Sequence, residues 1–433
     1  MHWKEIYKNK TVTADEAVKH IKSGDRVVFG HAAGEPKALV DALVKNAAQY
    51  KNVEIVHMVA MGKGEYCNPE YSENFVHNAL FAGGPTRKAI HEGRALFTPC
   101  HFSRIPSLFT EKILPVDVVL MMVSVPDEHG YCSYGVSVDY TKPAAESAKM
   151  IIAEVTPNMP RTYGNSFIHV SEIDYIVETN SSPAILNPPQ LSETDEKIGK
   201  NIAELINDGD CLQLGIGAVP DAILHFLTDK KDLGIHSEMF SDGVVELVER
   251  GVVTCARKNF HPGKMVVTFL MGSERLYKFA NNNPLIEMYP VDYVNNPAVV
   301  ARNDNMISVN SALQVDFTGQ VVSDTIGYKQ YSGTGGQLDF VRGASWSKGG
   351  KSILAFSSTA SGGKLSRIVP HIDEGASVTT PRTDTHFIVT EYGIADLRGK
   401  SVVERGKALI KIAHPDFKEQ LSKQFFEIYK KAI

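Results

Sequence analysis

The chain has 433 residues, and its 45 Lys and Arg against 50 Asp and Glu give a formal net charge of −5. With 43% hydrophobic and 22% charged residues, the composition excludes a disordered, collagen-like or coiled-coil chain. The weakly acidic balance, without a basic tract, argues against nucleic acid as a partner. No apolar run reaches the roughly 18 residues of a membrane span, and the N-terminal residues do not follow the pattern of a signal peptide. We expect a cytoplasmic protein with no membrane partner.

The cysteines and histidines do not predict a metal site or a disulfide framework. The five cysteines are an odd number, well separated and without a Cys-x-x-Cys pair. No histidine lies at the His-x-x-x-His spacing of metal ligands. We therefore expect no bound metal and treat the cysteines as small buried apolar residues.

Strands and helices alternate through most of the sequence, which is typical of an α/β protein with largely parallel sheets. The stretch 179–192 contains three prolines among polar residues and cannot continue a helix or a central strand. We place a domain boundary there, with an N-terminal domain at 1–185 and a C-terminal domain at 190–433. The pattern after the boundary predicts an amphipathic helix over 195–207.

Two segments of the chain, 21–43 and 206–227, repeat the same order of features. Each has a Gly-Asp pair, a short apolar strand, a glycine turn at Gly30 or Gly215, and a proline near the start of the next helix. The repeat can reflect an order of features that α/β proteins share in general, or it can reflect two related domains. We favour two similar open, largely parallel-sheet α/β domains with the active site between them, since ligands bind at the carboxyl ends of such strands.

The glycine turn of the second copy, 215–220, follows the predicted strand Cys211–Leu214 and precedes a helix. Its backbone N–H groups could face an anionic group, or the turn could be purely structural. A dinucleotide fingerprint would need a glycine where Pro220 stands, so a dehydrogenase is disfavoured. Two Gly-Lys-Ser tripeptides at 350–352 and 399–401 lack the upstream glycine of a P-loop, which excludes a nucleotide triphosphatase of that type.

One further glycine-rich stretch and two polar residues could take part in binding or catalysis. The residues alone do not decide between these roles and purely structural ones. The glycine-rich stretch 332–337 could offer N–H donors to an oxyanion or form a tight turn. Glu238 follows a predicted short strand, Ile235–Phe240, and could be a nucleophile, a base, a metal ligand or a surface charge. His31, after the first glycine turn, could contact a polar ligand or be a structural histidine.

These stretches, read together, resemble the acetyl-CoA hydrolase/transferase family of class I CoA-transferases over essentially the whole chain, and within it the branch acting on 4-hydroxybutyrate and butyrate. The matching segments occur in the family's order: Phe29–His31, Gln213–Pro220, Gly234–Gly243, Val309–Ser311, Ser332–Phe340, Thr390–Leu397 and Ile412–Phe417. The resemblance implies an acyl-CoA:carboxylate CoA-transferase with ping-pong kinetics, in which Glu238 is the nucleophile and carries a glutamyl-CoA thioester.

The same resemblance assigns expected roles to other residues. Contacts to CoA and to the thioester oxygen are implied for Gly215, Ile216, Gly217, Ala218, Val219 and Gly336, and contacts on the CoA side for Asn310 and Ser332. Contacts to the acyl substrate are implied for His31 and Gln213. Ser332 replaces the asparagine expected in the succinyl-CoA:acetate branch, which counts against that substrate.

The expected substrates are 4-hydroxybutyryl-CoA or butyryl-CoA with a carboxylate such as acetate. No tightly bound cofactor is expected, since coenzyme A and its acyl esters are the substrates, and the expected assembly is a homodimer or homotetramer. Two alternatives stay open: a short-chain acyl-CoA hydrolase, and a non-catalytic nucleotide or sugar-phosphate-binding protein on the same scaffold.

Overall fold

A computed structural model describes residues 2–432, and these fall into two compact units. The first unit contains the residues up to Asn187 and also the segment Val266–Val294. The second contains Pro188–Met265 and the residues from Asn295 onwards. The sequence-based division at 185–190 kept 190–433 together, whereas in the structure the segment Val266–Val294 groups with the first unit.

Residues 2–187 form ten strands and six α-helices, besides five short 3-10 helices. The strands are β1 (Arg26–Phe29), β2 (Val53–His57), β3 (Phe75–Ala79), β4 (Leu96–Phe97), β5 (Val118–Ser124), β6 (Tyr131–Ser133), β7 (Met150–Thr156), β8 (Tyr163–Gly164), β9 (Phe167–His169) and β10 (Tyr175–Glu178). The helices are α1 (Trp3–Lys10), α2 (Ala14–Val18), α3 (Lys37–Lys45), α4 (Gly84–His91), α5 (Ile105–Thr110) and α6 (Thr141–Ser147).

The elements after residue 187 continue the same alternation. The strands are β11 (Cys211–Leu214), β12 (Gly234–Ile235), β13 (Met265–Val267), β14 (Ile286–Met288), β15 (Met306–Ser311), β16 (Gln314–Asp316), β17 (Val321–Val322), β18 (Thr325–Ile326), β19 (Lys329–Gln330), β20 (Lys351–Ala355), β21 (Thr359–Ala360), β22 (Leu365–Ser366), β23 (Ile368–Val369), β24 (Phe387–Thr390) and β25 (Gly393–Asp396). The helices are α7 (Glu193–Ala203), α8 (Ala218–His225), α9 (Asp242–Glu249), α10 (Glu274–Ala280), α11 (Val291–Val294), α12 (Pro297–Val300), α13 (Gln337–Trp346), α14 (Val402–Lys411) and α15 (Pro415–Tyr429).

The main sheet of the first unit has seven strands in the order β10-β7-β5-β1-β2-β3-β4. Every neighbouring pair in it is parallel. The central strand β5 is buried at all seven residues, as expected of a parallel strand covered on both faces. The chain runs outward in both directions from β1, so a topological switch point lies at the carboxyl ends of β1 and β5.

The main sheet of the second unit has six strands in the order β12-β11-β15-β20-β24-β25. All its pairs are parallel except the last, β24 with β25. From β11 the chain proceeds to β12 on one side and later to β15 on the other, so the switch point lies at the carboxyl ends of β11 and β15. The predicted α/β class, with an open and largely parallel sheet in each unit, is confirmed.

Local predictions in the second unit are confirmed in part. The predicted strand Cys211–Leu214 coincides with β11. The helix predicted over 195–207 is α7, which a Ser192 capping box starts two residues earlier and which ends at Ala203, four residues before the predicted end. The strand predicted over Ile235–Phe240 was too long, because β12 ends at Ile235. This edge strand pairs with β11 at Gly234 and Ile235, and His236 N then donates to Leu212 O, whereas β11 continues to Leu214.

Within residues 2–432, none of the helices combines the length and the apolar content required to cross a membrane.

Two histidines lie inside the first unit on neighbouring strands. His57, at the end of β2, is fully buried, with its Nδ1 3.3 Å from the hydroxyl of Tyr66. His77, on β3, is 2% exposed, with its Nδ1 3.1 Å from the carbonyl oxygen of Ile55. Burial lowers the pKa of His77 to about 4 and holds the pKa of His57 well below its usual value. Both side chains are therefore neutral in the folded protein at pH 7.

The first unit should lose stability as the pH falls from about 6.5 towards 4. In that window the two histidines take up protons in the unfolded chain but stay neutral in the folded protein. Each of them therefore lowers the free energy of unfolding by about 1.4 kcal/mol for every unit by which the pH falls. We expect His77→Phe to reduce the dependence of the free energy of unfolding on pH by the contribution of one histidine. His129→Gln, at an exposed position, should leave this dependence unchanged.

The change in the free energy of unfolding with pH can be measured for the first unit alone. Trp3 and Trp346 are the two tryptophans, and Trp346 is exposed in the second unit. In a Trp346→Phe background, denaturant unfolding followed by the fluorescence of Trp3 reports the first unit. A slope identical in the parent and in His77→Phe would contradict the assignment.

Candidate functional site

Glu238 follows the edge strand β12 at the carboxyl end of the second unit's sheet. The residue before it, Ser237, is buried and donates its hydroxyl to the carbonyl oxygen of Leu214 at the end of β11, at 3.2 Å. This bond ties the loop to the neighbouring strand. Glu238 itself is half-buried, so its carboxylate is partly shielded from water while remaining reachable.

A buried lysine fixes the strand that leads to Glu238. Lys258 is 5% exposed, and its ammonium donates to the carbonyl oxygens of Ile235, at 2.8 Å, and Lys264, at 2.7 Å. Its stem lies where a side chain at Gly234 would be, since a Cβ there would come within 2.6 Å of the lysine Cγ. Lys258 therefore holds the last residue of β12, a role that the sequence did not indicate.

The carboxylate of Glu238 is held by Asn295 and closely approached by Gly336. Asn295 is fully buried and donates its Nδ2 to Oε2 of Glu238 at 2.8 Å, and its Oδ1 has no hydrogen-bond partner among the described residues. A Cβ at Gly336 would overlap both Oε2 of Glu238 and Nδ2 of Asn295. The backbone at Gly336 has φ −95°, which any residue can adopt, so glycine is needed here for space. The three residues form what we call the Glu238 cluster.

The loop that carries Gly336 is anchored through the next residue. Gln337 donates its Nε2 to the carbonyl oxygen of Ser311 at 2.6 Å, and its Oε1 accepts the hydroxyl of Ser323 at 2.8 Å. Gln337 thereby pins the start of α13 to the end of β15. Ser332 lies on the same loop, half-buried, with its hydroxyl 3.4 Å from the carbonyl oxygen of Ser323.

Gln213 and Asn310 form a reciprocal amide pair at the switch point of the second sheet. Asn310 donates its Nδ2 to Oε1 of Gln213 at 3.1 Å, and Gln213 donates its Nε2 to Oδ1 of Asn310 at 3.3 Å. Gln213 is 3% exposed on β11, and Asn310 is half-buried on β15. The sequence assigned the two residues to different ligands, whereas the structure shows that each orients the other.

The glycine turn 215–219 joins β11 to α8 as predicted. Gly217 has φ +115°, a conformation that favours glycine, and is the residue before the helix. The N–H groups of the first helical residues, Ala218 and Val219, have no acceptor within the helix, and Pro220 has no N–H. Ile216 is 37% exposed. Burial raises the pKa of Asp221, which accepts the hydroxyl of Ser241 at 2.9 Å beside this turn.

His31 lies in the first unit, directly after β1 and at that sheet's switch point. It is 1% exposed, and its Nδ1 is 3.1 Å from Oδ2 of Asp139, which is fully buried. Asp139 was not among the residues singled out from the sequence.

The structure thus brings the predicted residues of the second unit into two groups at one edge of the sheet. Glu238 and Gly336 meet, joined by Asn295, and Gln213 and Asn310 meet beside the turn 215–219. Sequence reasoning missed Asn295 and Lys258, because a lone asparagine and a lone lysine carry no local signal. Among residues 2–432, no three His, Cys, Asp or Glu side chains are grouped so that they could hold a metal ion.

Comparison with known proteins gives a consistent result. Residues 1–187 match the acetyl-CoA hydrolase/transferase N-terminal domain, and residues 272–425 match the acetyl-CoA hydrolase/transferase C-terminal domain. The chain is 61% identical over 425 residues to a 4-hydroxybutyrate coenzyme A transferase of Clostridium kluyveri, covering 98% of this chain and 99% of the relative. It is 41% identical over 434 residues to a butyryl-CoA:acetate CoA-transferase of Anaerostipes caccae, covering 98% and 97%. The crystal structure of a 4-hydroxybutyrate CoA-transferase from Porphyromonas gingivalis superposes with a TM-score of 0.87 at 42% identity, covering 99% of this chain and 100% of that one.

The Gly336→Ala substitution should displace the carboxylate of Glu238. The added methyl group would overlap the two atoms of the hydrogen bond from Asn295, so we expect a crystal structure of the variant to show that bond broken. Overpacking of this kind costs about 1–3 kcal/mol of stability.

Gly83→Ala is the matched control. It also adds one methyl group at the N-cap of a helix, α4, but a Cβ at Gly83 would meet atoms of Ala60 at 3.6 Å, an ordinary van der Waals distance. Thermal unfolding of both variants should show a loss only for Gly336→Ala, and an intact Glu238–Asn295 bond in that variant would contradict the geometry.

Proposed function

We propose that this chain, which belongs to the acetyl-CoA hydrolase/transferase family, moves CoA between a short-chain acyl-CoA and a carboxylate through a covalent intermediate on Glu238. The acyl groups proposed are 4-hydroxybutyryl and butyryl, with acetate as the exchanging acid. The activities after which the Clostridium kluyveri and Anaerostipes caccae relatives are named support these substrates. Coenzyme A acts as a substrate, and no tightly bound cofactor takes part.

The observation that carries this proposal is the Glu238 cluster. A carboxylate used as a nucleophile must be kept in place with a lone pair directed at the thioester. The bond from the buried Asn295 restrains Oε2 of Glu238 and so limits the rotamers of the carboxylate. Because Gly336 has no side chain, its backbone can lie against the carboxylate without displacing the bond from Asn295.

In the first half-reaction, an oxygen of Glu238 attacks the carbonyl carbon of the acyl-CoA. The carbon–sulfur bond breaks, giving an acyl-glutamyl anhydride and CoA thiolate. The thiolate then attacks the glutamyl carbon of the anhydride. This step releases the first acid as its carboxylate and leaves a thioester between Glu238 and CoA.

In the second half-reaction, the incoming carboxylate attacks the glutamyl thioester and releases CoA thiolate. The thiolate attacks the acyl carbon of the new anhydride, which forms the new acyl-CoA and regenerates the carboxylate of Glu238. Every bond broken is matched by one formed, so the thioester is conserved without ATP. The scheme requires ping-pong kinetics.

Each attack creates a tetrahedral oxyanion that needs donors already in place. The N–H groups at the 215–219 turn and at Gly336 are suited to this, since both lie at helix starts near the carboxyl edge of the sheet. We assign CoA-side contacts to Asn310 and Ser332. Binding of the distant parts of CoA can then help to drive the reacting carbons together.

His31 and Gln213 are proposed to contact the acyl group. Gln213 reaches the switch point with its amide oriented by Asn310, so a substrate carbonyl would meet a fixed donor or acceptor. His31 presents a ring whose orientation is set by Asp139.

A thioester on Glu238 is the decisive expected intermediate. The protein is incubated with butyryl-CoA and no acceptor acid, then treated with borohydride, which reduces a thioester to an alcohol. Mass spectrometry of the peptide containing residues 236–243 should show Glu238 converted to that alcohol, with release of one butyrate per modified site. An unmodified Glu238 in protein that still consumes butyryl-CoA would reject the mechanism and favour hydrolysis by water.

Replacement of the nucleophile should abolish transfer. Glu238→Ala is expected to lower kcat by about 10⁴-fold or more, as found when a covalent nucleophile is removed. Glu246→Gln is the control, because Glu246 is an exposed carboxylate on α9 of the same unit. Acyl-CoA exchange is followed by chromatography with and without acetate. A Glu238→Ala variant that keeps near-normal exchange would rule out the covalent role.

A further inference from the structure

A cavity of about 390 Å³ lies within the first unit, between helix α3 and the loop that follows β2. Its volume falls in the range of sites that bind small organic molecules. Residues 182–184 contribute a further side, where Ala184 donates its backbone N–H to the carbonyl oxygen of Ala33 at 3.0 Å. Every residue that lines the cavity belongs to this one unit, and none of them has a role in the proposed reaction.

Part of the cavity wall is apolar. Val40 and Val44 lie one turn apart on the same face of α3, and each is 7% exposed. Met61, which is half-buried on the loop after β2, and Ala184 also line the cavity. These side chains can pack against an alkyl chain of a ligand.

Four exposed charged residues around the cavity are paired with one another. Nζ of Lys37 lies 3.0 Å from Oδ2 of Asp41, and Nζ of Lys63 lies 3.5 Å from Oε1 of Glu65. All four side chains are more than 40% exposed, so water solvates them as well. None of these four charges therefore needs a ligand to compensate it.

Glu35 also lines the cavity, but it is buried and one of its carboxylate oxygens is unpaired. The residue is 7% exposed, and its Oε2 accepts the backbone N–H groups of Met61, at 3.0 Å, and Gly62, at 2.9 Å. Among residues 2–432, no donor or cation pairs with Oε1. Gly62 leaves this oxygen uncovered, since a Cβ there would overlap Oε1. Oε1 is therefore the acceptor that Glu35 offers to the cavity.

The charge of Glu35 has no compensation from a basic side chain. Burial raises the pKa of Glu35, while the backbone bonds from Gly62 and Met61 oppose this rise. A positive charge beside Oε1 would stabilise the carboxylate against the cost of its burial. The cavity thus complements a cation that has an apolar body.

We propose that the cavity binds a primary alkylammonium group, with the ammonium on Oε1 of Glu35 and the alkyl chain against the two valines of α3. A guanidinium pairs best with both oxygens of a carboxylate, but Oε2 already accepts two backbone donors. A quaternary ammonium has no N–H to donate, and no aromatic side chain lines the cavity to bind it. The proposal does not depend on the proposed function.

The probe is n-butylammonium, titrated calorimetrically into the whole chain at neutral pH. A ligand of this size should bind with a dissociation constant of about 1 mM or lower. Butan-1-ol keeps the alkyl chain and a donor but lacks the charge, so it should bind at least about tenfold more weakly. No binding of n-butylammonium at concentrations well above that constant, or tighter binding of n-butylguanidinium, would overturn the proposal.

Glu35→Gln tests the carboxylate directly. The amide oxygen can keep the two backbone bonds while the amide N–H₂ replaces Oε1, so the loop is retained and an acceptor becomes a donor. We expect the affinity for n-butylammonium to fall about 10- to 100-fold. Glu65→Gln is the matched control, because that carboxylate lines the same cavity but is exposed and paired with Lys63, and it should change the affinity less than about threefold. Equal losses in the two variants, or an unchanged affinity in Glu35→Gln, would refute the site.

A crystal structure of the parent protein with n-butylammonium tests the site even if Glu35→Gln does not fold. The ligand nitrogen should lie about 3 Å from Oε1 of Glu35, and a ligand that leaves Oε1 unpaired would contradict the proposal. Comparison with Nα-acetyl-lysinamide identifies the source of the ammonium group. Tighter binding of n-butylammonium indicates a free amine, tighter binding of the lysine derivative indicates a lysine side chain, and either order supports the ammonium site.

Discussion

The hydrogen bond from Asn295 to Glu238 is the constraint on which the candidate site depends. A carboxylate on a loop is a weak nucleophile that ordinarily samples several rotamers, and one restrained oxygen removes most of that freedom. Complete burial of Asn295 makes the restraint firm, because its amide has little room to turn. Gly336 contributes by having no side chain, since any Cβ would occupy the space of this bond. Lys258 and Ser237 then hold the strand and loop on which Glu238 sits.

The two parallel sheets explain why polar residues gather where they do. In each unit the chain leaves an interior strand of the sheet in both directions, at β1 in the first and at β11 in the second. Loops that follow such strands diverge and leave a crevice between them. His31 follows β1, and the Gln213–Asn310 amide pair and the 215–219 turn lie at the end of β11. The repeated order of features in the sequence therefore corresponds to the same topological position in both sheets.

Buried polar groups in this protein fall into two kinds. His57 and His77 are neutral core residues whose pKa values are lowered by burial, and they lie on strands. Asp139 and Asn295 are buried groups that orient another side chain at a strand end. Burial protects both kinds from water, but only the second kind transmits a fixed geometry to a residue that can meet a ligand. The contacts separate the two kinds: His57 and His77 bond to a tyrosine hydroxyl and a backbone carbonyl, whereas Asp139 and Asn295 bond to His31 and Glu238.

The sequence by itself determined the α/β class, β11, α7, the 215–219 turn and the family, because these depend on local periodicity, turn chemistry and contiguous motifs. It overextended β12, which ends at Ile235 although its neighbour β11 continues to Leu214, because the point where an edge strand leaves its sheet depends on tertiary contacts such as the bond from Ser237 to Leu214. Asn295, which is 57 residues from Glu238 along the chain, and Asp139, which is 108 residues from His31, were decided only by the tertiary structure. A hydrogen bond between residues so far apart leaves no periodic or local pattern in the sequence, since it exists only once the loops that carry both partners are brought together by the packing of the fold.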